Sequence, residues 1–476
     1  MDATAIVDVP QACLVHLPPG LDESLLARMD RPGPRYTSYP TADRFDAAFG
    51  AGELVQALAH RRDSDQALAP LSLYIHVPFC ASVCYYCACN KVVTKDRSKV
   101  APYLAALLEE MRRMREHLGA AAPVSQLHFG GGTPTYLDDD HLTTLMTEIR
   151  RLFVLTDDSE CSIEIDPRTV SAERLAHLWA LGINRLSFGV QDVDPHVQVA
   201  VHRVQPLALV RDLMADARRL GFQSINADLI YGLPKQTQAS FQRTIEAVCE
   251  LRPDRIAMYG YAHLPQRFKP QRRIVEAELP SGAQRLGMLG SAISGFLASG
   301  YDYIGMDHFA LPQDALAQAK REGRLHRNFQ GYSTRPDCDL IALGVSAISR
   351  IGRTYSQNAK TLETYYDGLA QHGLPTERGL SLSDDDLIRR DVIMAVMCDG
   401  KLDFDAFGRS HGLAFDSYFQ RECEALAGLV SEGLITLHEG GLDVTAKGWY
   451  FVRAIAMVFD RYVQGAAVLQ RFSKVV

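Results

Sequence analysis

The sequence predicts an α/β fold: a parallel sheet with crossover helices, then a mostly helical C-terminal part. From Leu71 onward, strand-like runs alternate with helix-like runs at the spacing of βαβ units. Cysteines, a glycine run and isolated carboxylates each follow a strand-like run, where parallel sheets gather function. Past about residue 375 the alternation stops, and helical periodicity with one short hairpin replaces it. A barrel and an open doubly wound sheet both fit this pattern.

With 476 residues, 47% of them apolar, the chain can bury large cores, and two to three domains are expected. Lys and Arg number 50 against 57 Asp and Glu, a net charge of −7. That balance argues against a general nucleic-acid or anionic-membrane partner and allows a local basic pocket. The start, Met1-Asp-Ala-Thr-Ala5, is not the basic opening of a signal peptide, and no run suits a membrane span. Ten cysteines without such a signal point to a reducing cytoplasm. Cys13, Cys161, Cys249, Cys338, Cys398 and Cys423 are scattered and read as small buried or neutral residues.

Residues 1–20 read as loosely structured. The prolines of Arg31-Pro-Gly-Pro-Arg-Tyr-Thr-Ser-Tyr-Pro-Thr41 exclude a helix or an internal strand. That stretch is either a surface linker or a segment that wraps over a site and stacks its tyrosines on a flat ligand. Leu71–Phe79 is apolar and β-rich, a buried strand, and Cys80, Cys84, Cys87 and Cys89 lie on the loop that leaves it. Further strands are expected at Val124–Phe129, Glu160–Ile165, Asn184–Val190, Ser224–Tyr231 and Arg255–Tyr261. Helices are expected between them at Ser98–Leu118, Asp138–Phe153, Ser171–Leu181, Leu207–Leu220 and Thr237–Leu251, several opening on a capping residue.

The second strand runs into Gly130-Gly-Gly-Thr-Pro-Thr-Tyr136, which either lets backbone approach a ligand or makes a tight turn. No Gly-Lys-Ser/Thr follows, so it is not a Walker A loop. The third ends at Glu164-Ile-Asp-Pro-Arg168, whose carboxylate suits ribose hydroxyls or a cap. The fourth ends in Phe188-Gly-Val-Gln-Asp192, with His202 and Arg203 downstream. In the fifth, Asp228 sits inside an apolar strand and needs a partner or a ligand, because an unpaired buried carboxylate is costly. The sixth reads Met258-Tyr-Gly-Tyr-Ala-His263.

Cys80, Cys84 and Cys87 have the spacing CxxxCxxC. Thiolates grouped on one loop suit a soft metal centre. A structural zinc site wants four ligands, usually as two separated pairs, and no second pair is present. Three ligands on one loop suggest an iron–sulfur cluster with one iron left open to bind and activate a small molecule. Cys89, two residues on, stands too close to take the fourth iron, and reads as either a packing residue or a functional cysteine.

In the tail, Leu380-Ser-Leu-Ser-Asp-Asp-Asp386 caps a helix that is apolar and periodic over 387–397. Phe415–Glu432 is amphipathic. Leu434–His438 and Leu442–Thr445 read as a small hairpin before a last helix, 446–463. Helices with a short hairpin resemble a winged helix, but no basic recognition helix is evident, so a lid or substrate-closing part is expected instead of a DNA-binding one.

Cys80-Ala-Ser-Val-Cys-Tyr-Tyr-Cys87, followed by the Gly-Gly-Gly-Thr-Pro strand end, resembles the radical S-adenosylmethionine superfamily. A finer match is to the bacterial oxygen-independent coproporphyrinogen III oxidase (dehydrogenase) family. It is carried by Gly33-Pro-Arg-Tyr-Thr-Ser-Tyr-Pro-Thr41, Cys89-Asn-Lys91, Glu164–Arg168, His326-Arg-Asn-Phe-Gln-Gly-Tyr332 and Arg389-Arg-Asp-Val-Ile-Met394. A related haem chaperone branch shares the three-cysteine motif but usually lacks both the fourth cysteine and the Arg-Tyr-Thr-Ser-Tyr-Pro segment, which this chain has.

The resemblance implies an incomplete parallel (β/α)6 TIM-like barrel. It implies an N-terminal extension (1–60) wrapping the active site, a catalytic barrel (61–374) and a mostly helical, winged-helix-like C-terminal domain (375–476). Cys80, Cys84 and Cys87 would hold one 4Fe-4S cluster, whose open iron takes the amino and carboxylate groups of S-adenosylmethionine. A 5′-deoxyadenosyl radical would then take a hydrogen from the β-carbon of a propionate of coproporphyrinogen III. CO2 leaves, a vinyl group remains, and two such events give protoporphyrinogen IX.

Tyr74, Tyr86, Gly131, Gly132, Thr133, Glu164, Gln191, Arg203, Asp228, Ala262 and Ile348 would surround two S-adenosylmethionine molecules, with Cys89 a functional cysteine near the substrate. The family also implies an oxidoreductase working as a cytoplasmic monomer with an electron donor such as flavodoxin or ferredoxin, without nucleic acid or membrane insertion.

The residue types agree in several places. Gly131 and Gly132 can offer bare backbone to the methionine amino group, Glu164 and Asp228 can accept from ribose hydroxyls, and Arg203 can meet a carboxylate by a bidentate fork. Tyr74 and Ile348 also suit an ordinary core. Four substrate carboxylates call for cations, and Arg35, Lys91, Lys235, Arg327 and Arg335 lie near the motifs. The alternative is a haem-binding carrier that keeps the cluster without decarboxylating.

Overall fold

The computed structural model describes residues 21–119, 121–335, 338–463 and 472–474, so the expectation for residues 1–20, Cys13 included, lies outside the described residues. A twelve-stranded sheet forms its centre. Its strands in chain order are β1 (Leu71–Val77), β2 (Pro123–Gly131), β3 (Val154–Ile165), β4 (Arg185–Gln191), β5 (Ser224–Tyr231) and β6 (Arg255–Gly260), then β7 (Asp302–Gly305), β8 (His308–Ala310), β9 (Asp339–Leu343), β10 (Ile348–Ile351), β11 (Thr354–Asn358) and β12 (Thr376–Ser381). Across the sheet they run β12-β11-β10-β9-β1-β2-β3-β4-β5-β6-β8-β7.

The strands β1 to β6 pair parallel, each with the next in sequence. A doubly wound sheet reverses its order at a switch point. This one does not, and its two end strands stay unpaired with each other, so it is an incomplete barrel. β9 adds a seventh parallel strand on the free side of β1. Its five residues are too few to carry a period, and the expected six strands omit it.

The crossover helices are Val100–Leu118, Asp139–Leu152, Ala172–Ala180, Leu207–Leu220 and Gln238–Leu251. Asp138, Ser171 and Thr237 cap three of them, each side chain accepting a backbone N–H of the first turn. A short extra helix, Pro195–Ala200, follows β4.

Parallel strands buried on both faces read as continuous apolar runs. Those of this barrel alternate. In β3, Cys161, Ile163 and Ile165 pack outward, while Glu160, Ser162 and Glu164 line the interior. In β5, Ile225, Ala227 and Leu229 pack outward, while Ser224, Asn226 and Asp228 line the interior. The outward residues merge with Leu107, Met111, Leu145, Ile149 and Ile245 of the helices in one core. Each fully buried Leu or Ile there contributes roughly 1.5–3 kcal/mol.

A second core joins the N-terminal segment to the C-terminal part. Helices Asp384–Cys398, Phe404–His411, Phe415–Tyr418 and Gln420–Ser431 surround a three-stranded sheet of Lys401–Asp403, Gly441–Val444 and Ile435–His438. The last helix, expected over 446–463, is broken into turns at Gly448–Phe451 and Met457–Phe459 around the five-residue helix Val452–Ala456. Residues 451–457 are buried all round, so no polar stripe marks a regular helix there. β12 pairs with β11, which carries the main sheet beyond the boundary expected at 374/375.

In the Arg31–Thr41 segment the two tyrosines turn into protein. Tyr36 and Tyr39 are fully buried in the second core, and the Tyr36 hydroxyl donates to Asp460 Oδ2 at 2.9 Å. Arg35 turns toward the barrel and donates to the Gly260 carbonyl at the end of β6, at 3.0 Å. Among the described residues no helix is long and apolar enough to cross a membrane.

Candidate active site

The C-terminal ends of the first five strands converge on one cleft. It is lined by Cys80, Cys84, Tyr86, Cys87, Cys89, Gly131, Gly132, Thr133, Glu164, Gln191, Arg203 and Asp228. Tyr74 stands beside it, its ring and the Glu164 carboxylate both crowding Gly130. Ala262 is tied in through backbone, since Gln271 Nε2 donates to the carbonyls of Ala262 at 3.1 Å and Tyr86 at 3.0 Å. Ile348 does not line the cleft. It begins a strand that packs with Phe45, Phe329 and Tyr355, the core role its side chain also suited.

Main-chain pairing shapes the cysteine loop. Phe79–Cys80 pairs with Val92–Val93, which draws the loop's two ends together. His76 spans the same gap, its Nε2 3.1 Å from the Asn90 carbonyl and its Nδ1 3.2 Å from the Tyr74 hydroxyl. Burial pushes the His76 imidazole below its ordinary value, which suits a neutral ring donating from Nε2 to Asn90 and accepting at Nδ1.

Cys80 and Cys84 are buried, Cys87 is half-buried and Cys89 is exposed. Thr133 Oγ1 donates to Cys80 Sγ at 3.4 Å. Arg203 Nη1 and Arg168 Nη2 donate to Cys84 Sγ at 3.6 and 3.7 Å. A hydrogen bond from the Cys89 thiol pulls Cys87 down to about 6. Donors aimed at sulfur suit thiolates that hold a cluster, because such bonds orient ligands and tune the metal. Among the described residues no three His, Cys, Asp or Glu side chains converge as the ligands of a single ion would. A cluster instead takes each cysteine on a different iron, and these three cysteines with their donors fit one.

The glycine run serves packing first. A Cβ on Gly132 would stand 2.6 Å from the Pro78 carbonyl oxygen, and one on Gly131, at φ +115°, would stand 2.7 Å from His76. The Gly132 N–H donates to the Val77 carbonyl at 2.8 Å and the Thr133 N–H to that of Phe79 at 2.9 Å. A ligand amino group is a donor, so the carbonyl oxygens of this turn are what it can use.

Asp228 has the partners its position demands: Ser187 Oγ at 2.6 Å and Asn226 Nδ2 at 2.9 Å. Burial, and then the Glu164 charge, raise its carboxyl to about 6. The Glu164 side chain is 43% exposed, with Oε1 3.5 Å from His128 Nε2. Arg203 is not a free fork. Its Nη1 reaches Asp166 Oδ2 at 3.2 Å as well as Cys84, and its Nη2 donates to the Gly189 carbonyl at 2.9 Å. Its buried Nε has no protein partner.

The candidate cations separate. Lys91 lies in the cleft and donates to the Cys87 and Cys89 carbonyls at 3.3 Å. Buried Arg327 donates to the Arg35 carbonyl and stands 4.6 Å over the Tyr332 ring. Lys235 pairs with Glu278 at 3.5 Å. Arg335 pairs with Asp158 in the first half of β3, at the far end of the barrel from the cysteines.

Residues beyond the expected set also take part. Gln126, His128, Ser162, Asn226, Tyr259 and His308 line a polar interior continuous with Glu164, Ser187, Gln191 and Asp228. Polar residues at every second strand position mark that face in the sequence. Asp166 and Arg168 lie within the expected Glu164–Arg168 motif, but only their contacts with Arg203 and Cys84 make them part of the site.

The radical SAM superfamily profile matches residues 74–248, and that of the HemN C-terminal domain matches 382–451. The oxygen-independent coproporphyrinogen III oxidase of Pseudomonas aeruginosa is 50% identical over 457 residues, covering 96% of this chain and 98% of the relative. That of Escherichia coli is 48% identical over 455 residues, with the same coverage. The solved structure of Escherichia coli coproporphyrinogen III oxidase (HemN), described as a radical SAM enzyme, superposes with a TM-score of 0.88 at 47% identity, covering 93% of this chain and 99% of that one. The chain therefore belongs to the oxygen-independent coproporphyrinogen III oxidase family of radical SAM enzymes.

Proposed function

We propose that this chain oxidatively decarboxylates two propionate side chains of coproporphyrinogen III to vinyl groups, giving protoporphyrinogen IX in haem synthesis. One observation carries the reading: three cysteines with donors on their sulfurs share a cleft with Glu164 and Asp228, in a chain half identical over nearly its full length to a coproporphyrinogen III oxidase. When bound, the 4Fe-4S cluster and S-adenosylmethionine would supply a radical able to take a hydrogen atom from the β-carbon of a propionate.

The chain's own residues supply position and shelter. Cys80, Cys84 and Cys87 hold the cluster. Asp228 and Glu164 accept ribose hydroxyls, the turn at Gly131 and Gly132 offers carbonyl oxygens to the amino group, and Thr133, Tyr86, Gln191, Tyr74 and Ala262 close around the nucleoside. Arg203 acts on this pocket through Cys84 and its buried Nε. The polar barrel interior gives room for a second S-adenosylmethionine. Exposed Cys89 faces the substrate, and Lys91 in the cleft, with Arg35 and Arg327, is a candidate to meet its carboxylates. An external one-electron donor starts each turnover, and a one-electron acceptor takes up the electron released as the substrate loses CO2.

An anaerobic assay tests this. Reconstituted, reduced protein with S-adenosylmethionine and coproporphyrinogen III is expected to form 5′-deoxyadenosine and protoporphyrinogen IX. Tight haem binding with neither product would make the chain a haem carrier.

A further inference from the structure

Beyond β6 the chain enters a loop that docks against the cysteine loop. Its anchor is Gln271, buried in the turn Lys269–Arg273. The Gln271 amide donates to the Tyr86 and Ala262 carbonyls, and its oxygen accepts the Leu264 N–H at 2.6 Å. With that side chain turned inward, Arg267, Lys269, Arg272 and Arg273 are all exposed. Arg273 stands 5.2 Å over the Tyr85 ring, and the other face of the contact is His202, stacked on Tyr85 at 5.0 Å and 8°. Tyr85 lies next to Cys84 but does not line the cleft, whereas Tyr86 does. This is the outer wall of the cysteine loop.

We infer that this wall is the docking surface for a small acidic redox protein that delivers single electrons to the cluster site. The inference rests on the proposed function, which needs an external donor, and adds where and by what chemistry that donor binds. The chain carries a net charge of −7, yet exposed Arg267, Lys269, Arg272 and Arg273 fall within seven residues that hold no acidic side chain, and of the glutamates that follow, Glu278 is held by Lys235. A basic patch on an acidic chain steers an acidic partner to one place. Val275, 54% exposed and next to Ile274, which packs in the same cluster as Tyr85, gives this wall an apolar contact point. Substrate carboxylates need cations inside the cleft, where Lys91, Arg168 and Arg203 stand, and the four loop cations do not line it. The step itself is a one-electron transfer: the reduced flavin or iron–sulfur centre of the partner loses one electron and the cluster gains it.

The test uses the full chain with its cluster, a small acidic flavodoxin reduced beforehand, and the charge-reversal variant Lys269→Glu/Arg272→Glu. The wild type is expected to bind flavodoxin with an affinity that falls steeply with added NaCl. The variant is expected to bind at least tenfold more weakly and to lose its visible cluster absorption at least tenfold more slowly on mixing. Its iron content and its turnover with dithionite should match wild type. Arg267→Gln/Lys269→Gln/Arg272→Gln should show the same pattern more mildly. Equal affinity and equal bleaching in wild type and variants would overturn the inference. So would a raised KM for coproporphyrinogen III with dithionite, which would assign the cations to the substrate. Binding and bleaching need no turnover, so they decide the docking surface even if the wild type forms no protoporphyrinogen IX, an outcome that would fall on the proposed function alone.

Discussion

Arg203 and Cys84 are 119 residues apart in sequence, yet Arg203 Nη1 stands 3.6 Å from the Cys84 sulfur. Asp166 organises the contact. Burial would raise its carboxyl, but the Arg168 hydrogen bond and the Arg203 charge outweigh burial and hold it below the ordinary range. One carboxylate thus steadies two guanidinium groups over one ligand sulfur.

Positive donors on a ligand sulfur favour the more negative, reduced cluster. Replacing Arg168 with Met should leave iron bound and shift the cluster midpoint to more negative potential by on the order of 60 mV, equivalent to a tenfold change for one electron. Arg168→Lys should recover part of the shift. A redox titration followed by electron paramagnetic resonance reads it, and an unmoved midpoint would reduce Arg168 to packing.

The four cysteines should divide under substitution. Cys84→Ser is expected to strip iron to near background in reconstituted protein. Cys89→Ser should keep the iron and lose at least tenfold in protoporphyrinogen IX formation. Iron and sulfide analysis beside the anaerobic assay separates the two, and loss of iron in Cys89→Ser would make that residue a ligand.

Asp228 sets a pH dependence. Its carboxyl, raised to about 6, is ionised above that value and neutral below it. The ionised form is the better acceptor for ribose hydroxyls. Affinity for S-adenosylmethionine should therefore fall about fourfold from pH 7 to 5.5, the change in ionised fraction for such a group. Asp228→Asn should bind more weakly, with that component gone. Equilibrium dialysis across the range checks both.

Glu110 ties the helix Val100–Leu118 to the turn after β9. It accepts the Gly344 N–H at 2.8 Å, the Tyr365 hydroxyl at 2.5 Å and Asn358 Nδ2 at 2.6 Å. Burial raises its carboxyl from 4.5 to about 7 despite these bonds. Between those values the folded chain holds a proton that the unfolded chain has lost. Its contribution to stability is therefore complete below about 4.5 and falls as pH rises through about 7. Glu110→Ala leaves the buried Gly344 N–H and Tyr365 hydroxyl unpaired and Asn358 Nδ2 with only the Gly344 carbonyl, and should cost about 3 kcal/mol at pH 6, read as a lower urea midpoint. A variant as stable as wild type would show that water replaces the carboxylate freely.

Gly132→Ala is a packing test of the cluster loop. Its Cβ would meet the Pro78 carbonyl oxygen at 2.6 Å, which cannot move without shifting Phe79–Cys80. Iron content should fall even though no ligand is changed. Full iron retention would show that the loop yields.

Much of the barrel was legible in local pattern. β1 to β6 fall where apolar runs predict them, and Asp138, Ser171 and Thr237 cap the helices they precede. Short, uniformly buried or edge elements were not legible. Asp339–Leu343 is too brief to show a period, Thr376–Ser381 is polar enough to read as a linker, and 446–463 is too evenly apolar to show where its helix breaks. The packing of Ile348 was not legible for a related reason: its neighbours Phe329 and Tyr355 come from segments whose pairing leaves no local trace.

What the linear order of residues decides here is chemistry that sits on one loop and structure that repeats on one strand or helix. Cys80, Cys84 and Cys87 are within eight positions, so their spacing alone announces a cluster. Tertiary structure decides what surrounds them. Arg168 and Arg203 reach Cys84, Asp228 faces Glu164, and Gln271 fastens a basic loop to the cysteine loop only because parallel strands lay their C-terminal ends side by side. Periodicity is set by the nearest neighbours along the chain, whereas these contacts depend on which strands pair and on how the loops between them pack.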